Sequence, residues 1–274
     1  MSKLLTFQRI LPACEEGRAG AWHAFLSQYS PVAFELLNVY APWTSERRGA
    51  FWRDALLALS GEDFKRLRAF PHQAEREFLV ELRTFLFERA QPLLDPSKDS
   101  IGTSAPTAEK IAALLEGAPL LHQEIMFLKL AGYSDATLEQ LLRISPSVGK
   151  AGLERLRADY AAVLERAEDQ CPWPAAWLAI THAAREARKP DCPALRQLIR
   201  VLDGQISWYE KEPIEQHRAH CLSCLEHWTA VLEVVGWAKR AQPLRDPQVD
   251  ALLSALPLNE AVKEKKPFFK RLFA

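Results

Sequence analysis

Apolar residues recur along this chain at three- and four-residue spacing through most of its length. Trp22, Phe25, Leu26 and Tyr29 form one such stripe, continued by Phe34 and Leu37; Phe78, Leu82, Phe85 and Leu86 form another. A helical turn of 3.6 residues brings these positions to one side, so the spacing predicts amphipathic helices. Alternating Val, Ile and Thr runs, the mark of a half-buried strand, are almost absent. The expected fold class is all-α.

Breaks in the pattern predict how the helices are grouped. Residues 92–106 read PLLDPSKDSIGTSAP, rich in Pro, Ser, Asp and Gly, which predicts a flexible linker. A second break lies at Lys189-Pro190-Asp191-Cys192-Pro193, and a shorter one at CPWP, 171–174. The expected organisation is a helical block over 1–94, a linker over 95–106 and a second block over 107–170. A connecting helix follows over 171–189, then a small module over 190–240 and a tail over 241–274 that ends in KEKKPFFKRLFA. No tandem repeat of fixed period is present.

Composition narrows the partners. Lys plus Arg and Asp plus Glu both number 35 in 274 residues, so no global field draws the chain to nucleic acid or anionic lipid. The first ten residues lack the apolar core of a secretory signal, and no stretch approaches the roughly 20 apolar residues of a membrane span. A cytoplasmic protein with no membrane span is expected. The phosphate-loop, nucleophile-elbow and H-E-x-x-H patterns are absent, so neither an enzyme nor a small-molecule substrate is expected.

Cysteine placement carries the sharpest chemistry. The five are Cys14, Cys171, Cys192, Cys221 and Cys224, and only the last three crowd together. Clustered thiols beside a histidine in a reducing compartment point to metal rather than to disulfides. HRAHCLSCLEHW, 217–228, gives H-x3-C-x2-C. On one continuous helix His217, Cys221 and Cys224 would share a face. A tetrahedral structural zinc needs a fourth ligand, and Cys192, just before a helix starting at Ala194, is the expected donor, with Cys171 as the alternative. One Zn2+ per chain is predicted, against the plainer reading of two buried thiols and a surface histidine. His220 and His227 fall out of phase with the triplet and are expected to be solvated.

The segment CPALRQLIRVLDGQISWYEKEPIEQHRAHCLSCLEHW resembles the zinc-binding anti-sigma domain, on Cys192, the Leu202-Asp203-Gly204 turn, His217, Cys221 and Cys224. It departs from that family at Trp208-Tyr209, where short polar residues are common. The resemblance implies a small helical module that holds a sigma factor inactive. Residues 10–94 are similar to the second region of an extracytoplasmic-function sigma factor. The similarity lies in Trp22-x2-Phe25-Leu26-x2-Tyr29-x-Pro31, Phe51-Trp52-x2-Ala55-Leu56, Leu67-Arg68-x-Phe70 and Phe78-Leu79-x2-Leu82-Arg83. Residues 107–167 resemble the fourth sigma region, a helix-turn-helix, through Gln123-Glu124-Ile125-x2-Leu128, Gly132-Tyr133-Ser134, Leu138-x2-Leu141-Leu142 and Ile144-Ser145-Pro146-Ser147-Val148. Ser145 or Ser147 is the expected N-cap of its second helix.

The resemblance implies a regulator of transcription initiation, with RNA polymerase core or another sigma factor as partner. In the helix that would read DNA, Lys150, Arg155 and Arg157 are the candidate contacts. They are diluted by Gly149, Gly152, Glu154 and Asp159, and residues 107–170 hold seven basic residues against ten acidic ones. Phosphate attraction dominates DNA affinity, so promoter reading is not expected to be strong. Trp43, Phe51 and Trp52 are expected to be exposed, and to meet either polymerase or the apolar surface of the C-terminal module, made by Trp208-Tyr209 and the Val231, Leu232, Val234, Val235, Trp237 stretch. That packing predicts an autoinhibited closed state. The competing readings are a degenerate sigma homologue acting as an adaptor without DNA binding, and a redox sensor using the C-x2-C thiols.

Overall fold

The computed structural model describes residues 7–70, 74–95, 105–164 and 173–256, apart from the side chains of 63 and 157–164. Among the described residues the regular elements are all helices, so the chain is all-α. Most of the 92–106 linker, Cys171 and everything beyond residue 256 lie outside the described residues. No described helix is long and apolar enough to cross a membrane.

The first four helices are α1 (Phe7–Glu15), α2 (Ala19–Tyr40), α3 (Ser45–Arg68) and α4 (Glu75–Ala90). They close around the stripes read from the sequence. Trp22, Phe25, Tyr29 and Phe78 are buried, with neighbouring ring centroids 5.0 to 6.0 Å apart. Tilted and edge-on contacts of this kind suit the ring quadrupole. α3 starts where Thr44 caps the backbone N–H of Arg47 at 3.3 Å.

Trp43, Phe51 and Trp52, expected at the surface, are instead buried in this bundle, Trp52 completely. Trp52 Nε1 donates to Ser30 Oγ at 2.9 Å, and the rings of Trp43 and Phe51 lie 5.0 Å apart. The Arg47 guanidinium sits 4.8 Å from the centroid of the Trp43 ring. The block buries these rings within itself, because leaving them wet forfeits a few kcal/mol each.

The middle block holds α5 (Ala108–Leu115), α6 (Leu120–Leu130), α7 (Asp135–Leu142) and α8 (Pro146–Leu164). A short turn over 143–145 joins α7 to α8. Ser134 caps α7, Arg143 ends it in the left-handed region at φ 57°, and Ser145 Oγ accepts from Val148 N at 3.4 Å, leaving Pro146 at the first helical position. Of the two serines considered, Ser145 is the cap.

α9 (Pro174–Glu186) is more than a connection: Trp177, Leu178 and Ile180 are buried, with Trp177 4.8 Å from Phe127 of α6. The last helices are α10 (Leu195–Leu202), α11 (Trp208–Ala219), α12 (Leu222–Arg240) and α13 (Asp246–Leu253). α13 falls in the segment read as a tail, yet it packs on α2, burying Val249 and Leu252.

α12 decides the architecture. It touches α2 and α4 of the first block, α6 and α7 of the middle block, and α9. One apolar core runs from Ile10 to Leu256 and takes in Leu225, Ala230, Val231, Val234 and Val235 of α12. A separate core of Leu198, Val201, Ile214, Trp228 and Leu232 uses the other face of α12 and joins it to α10 and α11. The predicted return of the C-terminal module onto the first block is present, made by the expected Val231–Val235 stretch, which lies on α12. Trp208 and Tyr209, the other expected contacts, stand 65% and 84% exposed. They are the first two residues of α11, which a Ser207–Glu210 capping box starts.

Gly236 sets how closely α12 approaches α7. A Cβ there would lie 2.5 Å from Leu141 Cδ2. Gly236→Ala is expected to be near neutral: the Leu141 methyl can swing aside, and alanine favours the helix by about 1 kcal/mol. Gly236→Leu is expected to lower stability by about 1–3 kcal/mol, read as a lower denaturant midpoint. An unchanged midpoint for the leucine variant would mean that α7 is not seated on α12.

Candidate metal centre

Two turns bring four ligands together. The first follows α9, where Cys192 N donates to Lys189 O at 3.1 Å and Lys189 N donates to Cys192 Sγ at 3.3 Å. The second is the junction of α11 and α12. His217 lies in the last turn of α11, and the helix stops at His220. Cys221 then takes extended angles (φ −134°, ψ 105°) as N-cap of α12, with Cys224 in its first turn.

The expected continuous helix through His217, Cys221 and Cys224 is therefore broken. The break matters chemically. On one helix, successive same-face Cβ atoms stand about 5–6 Å apart in a row, whereas a turn lets the ligands converge.

The ligand atoms of Cys192, His217, Cys221 and Cys224 all lie within 4.8 Å of one another, with Cys192 Sγ and Cys221 Sγ 3.8 Å apart. A tetrahedron with metal–sulfur bonds of about 2.3 Å has sulfur atoms about 3.8 Å apart along its edges, so the spacing fits. His217 Nε2 is buried without a hydrogen-bond partner, and Nδ1 stands 3.8 Å from the Asp191 carboxylate. An orphaned ring nitrogen in a thiol cluster suits ligation, with the carboxylate orienting the ring from behind.

Hydrogen bonding from Cys224 outweighs partial burial and holds the Cys221 thiol well below the usual thiol range. The N-terminus of α12 favours negative charge at the same point. The cluster can hold a metal ion. Cys171, the alternative fourth ligand, lies outside the described residues.

The module's fold follows from local signals. Gly204, at φ 68°, closes α10: its N–H reaches Val201 O and that of Gln205 reaches Arg200 O at 2.8 Å. This is the Leu202-Asp203-Gly204 turn read from the sequence. His220 is exposed as expected. His227 is not: it is buried in α12, with Nδ1 2.7 Å from Ser223 O.

A second polar centre, which the spacing did not reveal, lies two residues past Cys224. Arg83 of α4 is fully buried and pairs with Glu226 and Glu233 of α12, at 2.5 Å each. Arg185 of α9 reaches Glu226 at 2.9 Å. Tyr133, ahead of α7, donates to Glu233 at 2.8 Å, and Tyr40 of α2 donates to the same oxygen. Burial opposes the Glu226 charge, but Arg185 and Arg83 outweigh it and hold the carboxyl at about 2. Two cations, two carboxylates and two tyrosines thus tie α12 to α4, α9, α2 and the turn ahead of α7. Glu226 and Glu233 stand seven apart in a run, Leu225–Gly236, whose other members are apolar apart from His227 and Thr229, which is the signal that could have identified them.

The candidate DNA contacts sit apart from both centres. α8 packs on α6 and α7, and its Ser147, Val148, Lys150, Glu154 and Arg155 face outward. Lys150 stands 3.8 Å from Glu154. The side chain of Arg157 lies outside the described residues. Comparison of the chain with models of known families, with curated proteins and with solved structures gives no match.

Proposed function

We propose that the chain is a sigma-factor-like regulator of bacterial transcription initiation that carries its own zinc-bound, anti-sigma-like module and is held closed by it. The observation that carries this reading is α12. This one helix begins at the Cys/His cluster and is buried against both blocks that resemble sigma regions. Zinc is the metal that best suits three thiols and an imidazole, and four protein ligands leave no open position, so its role is structural. The partner is RNA polymerase core, and the closed state withholds the α2 and α4 faces that α12 covers.

The second reading, an adaptor that does not bind promoter DNA, is favoured by the start of α8. Lys150 is matched there by Glu154, and exposed Val148 suits protein contact better than phosphate.

Titration of the zinc-loaded full chain against purified bacterial core polymerase tests the proposal. Weak binding is expected, strengthened in Glu233→Lys, which sets a cation of α12 against Arg83 of α4 and loosens α12 from that face. Absence of binding in both proteins would remove the sigma reading, and equal binding in both would remove the autoinhibition. Against duplex DNA the full chain is expected to bind only with dissociation constants of about 10⁻⁴ to 10⁻⁶ M, losing affinity as salt rises. A nanomolar, sequence-selective complex would exclude the adaptor reading.

A further inference from the structure

A cleft of about 550 Å³ opens where the helical blocks meet. That volume is in the range of small-ligand sites, about 300–1,000 Å³. It is bounded by the α2–α3 connection, the turn into α7, the start of α9 and the end of α12. Trp43, Tyr133 and Trp237 supply aromatic wall, and the last two rings are stacked with centroids 6.4 Å apart. Arg48, Asn38 and Thr137 supply the polar groups.

The charge around this cleft is one-sided. No acidic residue lines it among the described residues, whereas Arg48 does. Arg48 donates to Trp43 O at 2.5 Å but has no carboxylate partner among the described residues. Arg47 lies over the Trp43 ring and Arg240 over the Trp237 ring, at 4.8 and 5.6 Å from the centroids, also without a described carboxylate partner. The nearest buried acid behind the wall, Glu233, is already matched by Arg83. Two helix N-termini, those of α7 and α9, border the cleft and add positive potential.

From the aromatic walls and the Arg48 guanidinium, which has no described carboxylate partner, we propose that this cleft binds a small aromatic anion, a planar ring bearing a carboxylate or an equivalent acid. The ring lies against the indoles and the acid meets Arg48. Since the cleft touches the first block, the middle block, α9 and α12, an occupant reinforces the closed arrangement of all four. This inference stands independently of the sigma-like reading.

The test is calorimetric titration of the full, metal-loaded chain with 2-naphthoate, with 2-naphthylmethanol and 2-naphthylmethylammonium as controls of similar shape. One naphthoate site per chain is expected, about tenfold or more tighter than the alcohol, with no binding of the ammonium, since a charge-assisted hydrogen bond is worth about 1.5–3 kcal/mol. Arg48→Gln is expected to weaken naphthoate about tenfold or more by the same reasoning. Asn38→Trp, at an exposed position on the rim, should block the cleft and abolish binding without relying on the Arg48 bond to Trp43 O. Equal binding of the three compounds, no saturable binding of naphthoate at millimolar concentration, or binding unaltered in Asn38→Trp each overturns the proposal.

Discussion

Arg83→Met is expected to destabilise the protein by about 3–5 kcal/mol, the usual consequence of removing one partner from a buried ion pair. Arg83 is 0% exposed and is the only described cation paired to Glu233. Without it, Glu233 keeps only the Tyr40 and Tyr133 hydroxyls, and a buried carboxylate with two neutral donors must take up a proton or draw in water. Glu226 retains Arg185 and suffers less. The double variant Arg83→Met, Glu233→Gln is therefore expected to recover much of the loss, because an amide can still accept from both tyrosines. Chemical denaturation of the four proteins in this cycle measures the coupling. A single-variant loss below about 1 kcal/mol would mean that the network is solvated and holds nothing together.

Metal removal is expected to unfold α10 and α11 while leaving α12 docked. The core joining these helices to α12 consists of five side chains, Leu198, Val201, Ile214, Trp228 and Leu232. Their burial contributes on the order of 10 kcal/mol before ordering costs. Structural zinc binding is of the same order, about 10–16 kcal/mol. α12 has a second anchorage in Val231, Val234 and Val235 and in the Arg83 network, which the metal does not touch. Hydrogen exchange after chelation should show protection lost over 195–219 and kept over 230–235. Cys224→Ser should reproduce that pattern, and elemental analysis of the native protein should find one zinc per chain. Loss of protection along the whole of α12 would mean that the metal holds the closed state by itself. No metal in protein purified under reducing conditions would remove the centre altogether.

The helices and the ligand set were legible in the sequence for the same reason: both depend on local spacing. The stripes at Trp22–Tyr29 and Phe78–Leu86 became the core of the first block, and all four predicted ligands lie in one cluster. What the sequence left hidden was long-range. Spacing marked Trp43, Phe51 and Trp52 as apolar, but only the packing of α3 on α2 shows that they turn inward. The break at His220 was hidden because HRAHCLSC contains no proline or glycine to mark it. The Arg83–Glu226 pairing spans 143 residues of sequence, and each partner read alone looks like a solvated helix position.

That separation has a consequence for how the protein is made. Arg83 and the apolar faces of α2 and α4 leave the ribosome long before their partners on α12. At synthesis rates of about 5–20 residues per second, the delay is on the order of ten seconds. Through that interval the first block exposes an unmatched cation within an unfinished apolar surface. A nascent chain halted before Cys221 is thus the form most prone to aggregate and most dependent on chaperones, and zinc can act only after the last ligand, Cys224, has emerged.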